Sequence, residues 1–142
     1  MTGLAFIFPG QGSQEIGMGK ALADAFPAAK AVFDEVDAAL GQNLSKLMWD
    51  GDIAELTLTA NTQPALMAHS VAAMRALEAG FGISASDAMF VAGHSLGEYS
   101  ALASAGAISL ADTARLLRIR GNAMQGDGGP AGRRCGPGRS GV

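Results

Sequence analysis

The feature that most constrains this chain is the pentapeptide Gly93-His94-Ser95-Leu96-Gly97, which fits G-x-S-x-G. With 20 glycines in the chain, such a match arises by chance with a probability of about one in five. The setting is more telling than the match. Ala88-Met89-Phe90-Val91-Ala92 is an apolar run of strand length, and the small residues after Gly97 read as a helix to about Ala105. A strand that turns sharply into a helix with serine at the bend leaves no room for neighbouring side chains, so the flanking positions call for glycine. The serine then stands at the head of a helix, where free N–H groups and a partial positive charge meet a developing oxyanion.

A serine nucleophile needs a base. The chain has two histidines, His69 and His94, and none after Ser95. In elbow proteins the base follows the serine in the chain. His94 is adjacent to Ser95, and neighbouring side chains at such a bend point apart. His69 falls in the helix after Pro64, where a surface or partly buried histidine is the commoner role. The chemistry therefore reads as incomplete within these residues.

The rest of the chain supplies the frame. Leu4 to Phe8 is a short apolar run closed by Pro9-Gly10, the pattern of a buried strand and a turn. Residues 18–40 show helical spacing, divided at Pro27 into two helices. Asn61-Thr62-Gln63-Pro64 predicts a helix start with Pro64 near the first helical position, running on to Gly80 and Gly82. Ser109 and Asp112 form a capping-box pattern opening a helix to about Gln125. Strands alternating with helices predict an α/β fold with a parallel sheet, and two strands leave that sheet incomplete.

Composition narrows the class. A length of 142 residues suits one domain with a real core, and 49% hydrophobic residues exclude a disordered composition. A net charge of −3 gives no footprint for nucleic acid or an anionic membrane. The N-terminus has no basic region and too short an apolar run for a signal peptide. The uncharged stretch 56–74 carries Asn61, Gln63, Pro64 and His69, which makes it a poor membrane span. The single cysteine, Cys135, cannot form an internal disulfide. A cytoplasmic protein is expected. Residues 126–142 differ in kind, with seven glycines, two prolines, three arginines and that cysteine. They read as a disordered Gly/Pro/Arg-rich tail after a domain of residues 1–125. The tail is either native or an out-of-frame product of a GC-rich gene, and its abrupt onset within a helix pattern favours the second origin.

Four segments together resemble one family. They are Phe8-Pro9-Gly10-Gln11-Gly12-Ser13-Gln14, Asn61-Thr62-Gln63-Pro64-Ala65, Gly93-His94-Ser95-Leu96-Gly97-Glu98-Tyr99 and Arg120-Gly121-Asn122-Ala123-Met124-Gln125. Their order and spacing are similar to those of malonyl-CoA:acyl-carrier-protein transacylases and of polyketide synthase acyltransferase domains, over residues 1 to about 125. The resemblance implies an α/β-hydrolase-like acyltransferase core with a parallel sheet. It also implies a ping-pong reaction in fatty-acid biosynthesis. Ser95 would take the malonyl group from malonyl-CoA and pass it to the phosphopantetheine thiol of acyl carrier protein. Gln11 and the N–H of Leu96 would form the oxyanion hole, and Arg120 would bind the malonyl carboxylate with its fork of donors. Arg115 and Arg118 lie elsewhere around that helix and are expected to be solvated. Gln63 divides evenly between a helix-start role and a site role, and Glu98 complements the helix dipole. No resident cofactor, metal, nucleic acid or membrane partner is implied, and the full-length family is expected to be monomeric.

The family's domain is about twice this length, and its catalytic histidine and inserted ferredoxin-like subdomain fall in the part without a match here. A free-standing transacylase is preferred because the first strand begins right after Met1. The alternatives are a polyketide synthase acyltransferase fragment, another serine hydrolase such as an esterase, and a catalytically inactive truncated chain.

Overall fold

The computed structural model describes residues 3–127. Two strands, β1 (Ala5–Phe8) and β2 (Phe90–Gly93), pair in parallel with Ala5 opposite Phe90 and Phe8 opposite Gly93. Between them run α1 (Lys20–Ala25), α2 (Pro27–Leu40), α3 (Leu44–Asp50), α4 (Ile53–Thr57), α5 (Thr59–Phe81) and a single 3-10 turn, Ala85–Asp87. After β2 come α6 (Gly97–Ser104) and α7 (Leu110–Asp127). The fold is thus α/β with a short parallel sheet, as the alternation of patterns predicts. A parallel pair needs a long crossover, and the helices supply it.

α5 is the axis of the molecule. It is apolar nearly all round, burying Leu66, Met67, Val71 and Ala72 among others, as a helix enclosed by its neighbours must. Val32, Phe33 and Val36 of α2, Met48 of α3, Leu56 of α4 and Leu117 of α7 close around it. Phe33 meets Trp49 edge to face at 5.4 Å. The expected break at Pro27 is present, with the proline opening α2. The short helices α3 and α4 were not anticipated. Each begins at a side-chain cap, Asn43 accepting from the Lys46 N–H and Asp52 from the Ala54 N–H.

Three expectations need correction or extension. The strands are not buried: Phe8 is 5% exposed, but Ile7 is 78% and Phe90 68%. α5 and α6 cover only the face bearing Phe6, Phe8 and Val91, through Met74, Leu77 and Ala101. The register leaves Ala5, Ile7, Phe90 and Ala92 on the other face, with nothing among the described residues over them. Second, the helix around Pro64 starts earlier, at Thr59, so Pro64 lies inside it and forfeits one helical hydrogen bond. Side chains secure that turn instead. Asn61 Nδ2 donates to the Glu55 carbonyl at 3.0 Å and Thr62 Oγ1 to the Leu56 carbonyl at 2.6 Å. Third, the Ser109 cap is present, its Oγ accepting from the Asp112 N–H at 3.2 Å, and α7 extends through Asp127. The remainder of the glycine-rich segment, 128–142, lies outside the described residues, as does Cys135. Among the described residues, no helix is long and apolar enough to cross a membrane.

The uncovered sheet face can be tested directly. We expect Ile7→Ser with Phe90→Ser to reduce binding of a hydrophobic fluorescent dye while leaving helix content by circular dichroism unchanged. Unchanged dye binding would mean that this face is not exposed in solution.

Candidate active site

The site begins with a bend. β2 ends at Gly93 and α6 starts at Gly97, leaving three residues to reverse direction. Ser95 carries the turn at φ 55°, the one non-glycine with positive φ among the described residues. That strained conformation is held by its surroundings. A Cβ on Gly93 would lie 1.9 Å from the Gly97 carbonyl carbon, and one on Gly97 would lie 2.3 Å from the Phe8 oxygen. The two motif glycines are therefore fixed by backbone meeting backbone. Leu96 is 1% exposed and anchors the bend in the core, while Ser95 stays at the surface.

The N–H groups after the serine divide in function. Gly97 N–H bonds back to the His94 carbonyl at 2.9 Å and Glu98 N–H to the Ser95 carbonyl at 3.1 Å. The Leu96 N–H finds no acceptor among the described residues, which leaves it free for an oxyanion. The loop after β1 lies directly on the bend: a Cβ on Gly10 would stand 2.7 Å from His94 Nδ1. Gln11 follows, exposed, with its Nε2 donating to Thr59 Oγ1 at 3.4 Å. The structure thus puts Gln11 one residue from the contact with the elbow, its side chain in a weak and breakable bond to α5.

Arg120 reaches the serine from α7. Its Nη2 donates to Ser95 Oγ at 3.1 Å, and its Nη1 donates to Gln63 Oε1 at 2.7 Å. Its guanidinium lies 5.7 Å from the centre of the Tyr99 ring. Gln63 is 1% exposed, and its Nε2 donates to Met124 Sδ at 3.2 Å, so both ends of the amide are engaged. Gln63 lies inside α5 rather than at its start, and it sits beneath the arginine. Arg120 is half-buried and forms no ion pair among the described residues, so its charge is open to an anionic ligand.

Other residues are placed as follows. Arg115 is exposed and pairs with Asp112 at 3.1 Å, as a solvated arginine should. The same expectation for Arg118 is corrected. Arg118 is half-buried, donates to Asn61 Oδ1 at 2.8 Å and also bonds Gln42, because its face of α7 turns toward α5 and the end of α2. Burial lowers its pKa. Glu98 is exposed in the first turn of α6. Neither histidine hydrogen-bonds Ser95 among the described residues. His94 packs on Gly10, and His69 packs near Gly19 and Phe33. Burial pushes the His69 imidazole below its ordinary value of 6.5, with Glu15 pulling weakly the other way.

A serine at a strained strand-to-helix bend, with a free N–H behind it and a guanidinium over its oxygen, has the geometry of the α/β elbow class. The chain belongs to the acyl transferase domain family, whose model matches residues 5–135. It is 52% identical over 124 residues to a malonyl CoA-acyl carrier protein transacylase of Bacillus subtilis, covering 87% of this chain and 38% of that protein. It is 46% identical over 125 residues to a phenolphthiocerol synthesis polyketide synthase of Mycobacterium marinum, of which it covers 6%. Among solved structures, it matches an acyl-carrier-protein S-malonyltransferase from Bartonella henselae with a TM-score of 0.84 and 61% identity, over 87% of this chain and 40% of that one. It also matches a malonyl-transacylase solved in complex with a type II polyketide synthase acyl carrier protein, with a TM-score of 0.81 and 45% identity over 88% and 40% of the two chains. The chain therefore spans about 40% of the length of its free-standing relatives.

Two outcomes are expected from this geometry. Gly93→Ala should lower the stability measured by urea unfolding by about 2 kcal/mol or more, because backbone, not a flexible side chain, occupies the space. His69 should make the chain acid-sensitive. Its folded pKa lies below the unfolded value, so its neutral burial stabilises fully above pH 6.5. That contribution is lost as pH falls further, until the folded ring itself protonates. His69→Gln should flatten this part of the pH–stability curve.

Proposed function

We propose that Ser95 is an acyl-carrying nucleophile for malonyl groups, taking them from malonyl-CoA and delivering them to the phosphopantetheine thiol of acyl carrier protein. The observation that carries this reading is the Arg120 guanidinium, held by Gln63 and reaching Ser95 Oγ at 3.1 Å. An acyl group on Ser95 with a carboxylate one methylene beyond its carbonyl would fall within the span of that fork. The names of the relatives support the same acyl group and the same carrier.

In the first half-reaction, Ser95 Oγ attacks the thioester carbonyl, its C–S bond breaks, and the coenzyme leaves as its thiol with the serine's proton. The Leu96 N–H would hold the oxyanion in between, joined by Gln11 once its side chain leaves Thr59. In the second half-reaction, the carrier thiol attacks the malonyl ester and Ser95 regains a proton. No resident cofactor enters either step. Both steps need a proton acceptor at Ser95. With His69 and His94 placed elsewhere, we expect these residues by themselves to acylate slowly. The setting we infer is cytoplasmic fatty-acid synthesis by a monomeric enzyme. The polyketide relative supports a second reading, in which the same malonyl-serine feeds a polyketide carrier.

Intact-mass spectrometry after incubation with malonyl-CoA tests the proposal. We expect slow accumulation of a malonyl adduct that Ser95→Ala abolishes. Arg120→Ala should reduce its rate by about ten- to a hundredfold, the worth of a charge-assisted hydrogen bond. Hydrolysis of simple esters with no preference for malonyl would sink the proposal in favour of an esterase.

A further inference from the structure

Arg118 is a half-buried charge held by neutral partners. It sits two residues before Arg120 on α7, half-buried, and its hydrogen-bond partners are neutral amide oxygens rather than a carboxylate. Desolvating a guanidinium without a counter-charge is unfavourable, and an apolar side chain of similar size would serve stability as well or better. What the arginine adds over such a side chain is hydrogen bonds of fixed direction.

The network around it is closed. Arg118 donates to Asn61 Oδ1 and to Gln42 Oε1, and Gln42 Nε2 donates to the same Asn61 oxygen at 3.4 Å. Asn61 Nδ2 in turn donates to the Glu55 carbonyl at 3.0 Å. Neither amide can flip without turning an N–H toward the guanidinium. One side chain of α7 is thus tied to α5, to the end of α4 and to the turn after α2.

The second rung stands beside it. Asn61 and Gln63 are two residues apart on α5, and Arg118 and Arg120 are two apart on α7. A third tie lies further along, where Gln125 Oε1 accepts the Ala60 N–H at 3.1 Å. A Cβ on Gly121 would lie 2.7 Å from the Ala60 Cα, so the contact there is bare backbone. Along α7, Ala114 and Leu117 are buried, but Leu116, Ile119 and Met124 are exposed. Apolar contacts hold the helices together without fixing a direction, whereas paired hydrogen bonds of fixed direction resist both sliding and rotation.

We propose that Arg118 is a positioning residue: through Asn61 and Gln42 it sets the rotation and height of α7, and so delivers the Arg120 guanidinium to Gln63 and Ser95. This rests on the reading of Arg120 as a carboxylate seat. Binding of free malonate, followed by calorimetry on the whole chain, tests it alongside thermal unfolding. Arg118→Met should weaken malonate binding about tenfold while leaving the midpoint of unfolding nearly unchanged. Gln42→Ala, which removes one of the two Arg118 partners and leaves Asn61 in place, should weaken it less, and Arg118→Lys should recover part of the loss. Arg120→Gln serves as the reference and should abolish binding. Unchanged affinity in Arg118→Met, or a loss matched by a fall in its unfolding midpoint, overturns the positioning role. Full affinity in Arg120→Gln overturns the carboxylate seat instead, and no malonate binding by the unaltered chain removes both.

Discussion

The architecture of this chain depends on one contact without side chains, where the end of β1, the elbow and the start of α6 meet backbone to backbone. Phe8 sits opposite Gly93 in the sheet, and its carbonyl accepts the His94 N–H at 3.1 Å. The same carbonyl lies where a Gly97 side chain would otherwise stand. Three segments converge there because glycine lets them, and the convergence forces Ser95 into its positive-φ turn. The strain at the serine is thus maintained by packing around it. The loop bearing Gln11 is seated by the same contact, through Gly10 on His94.

A second layer of order comes from polar groups placed where apolar ones would be simpler. α5 buries Asn61, Thr62 and Gln63 in consecutive positions near its start. Asn61 bonds to α4 and Arg118, Thr62 to α4, and Gln63 to Arg120 and Met124. Gln125 adds a bond from the other side, its Oε1 accepting the Ala60 N–H at 3.1 Å. Apolar packing holds the helices together, and these directional bonds decide where along one another they stop.

The elbow was legible because its demands are local. A strand-like run, two glycines and a helix-like run state the bend without reference to the rest of the chain. The caps at Ser109 and the break at Pro27 were legible for the same reason. What escaped depended on distant partners. Burial of Ile7 and Phe90 cannot be read from an apolar run, because it depends on what covers each face of the sheet. Arg118 looked solvated beside Arg115, since helical spacing alone does not reveal which face of α7 turns toward Gln42, 76 residues away. Pro64 misled the helix start because Asn61 and Thr62 bond to α4 rather than capping their own helix. The signal for those buried partners was present, in polar residues interrupting an otherwise uncharged stretch, but it pointed first to the absence of a membrane span.

The parallel pairing of β1 with β2 also has a consequence in time. Ala5 and Phe90 are partners about 85 residues apart along the chain. Helices form from near neighbours, whereas closing so long a loop carries a large entropic cost that must be met before any contact rewards it. The helical hairpins around α5 are therefore free to form early, and the elbow last. During synthesis, the serine has no bend to occupy until the segment through α6 has emerged and found a strand about 85 residues before it. The positive-φ turn at this residue is thus a product of long-range pairing, closed after the helices beside it.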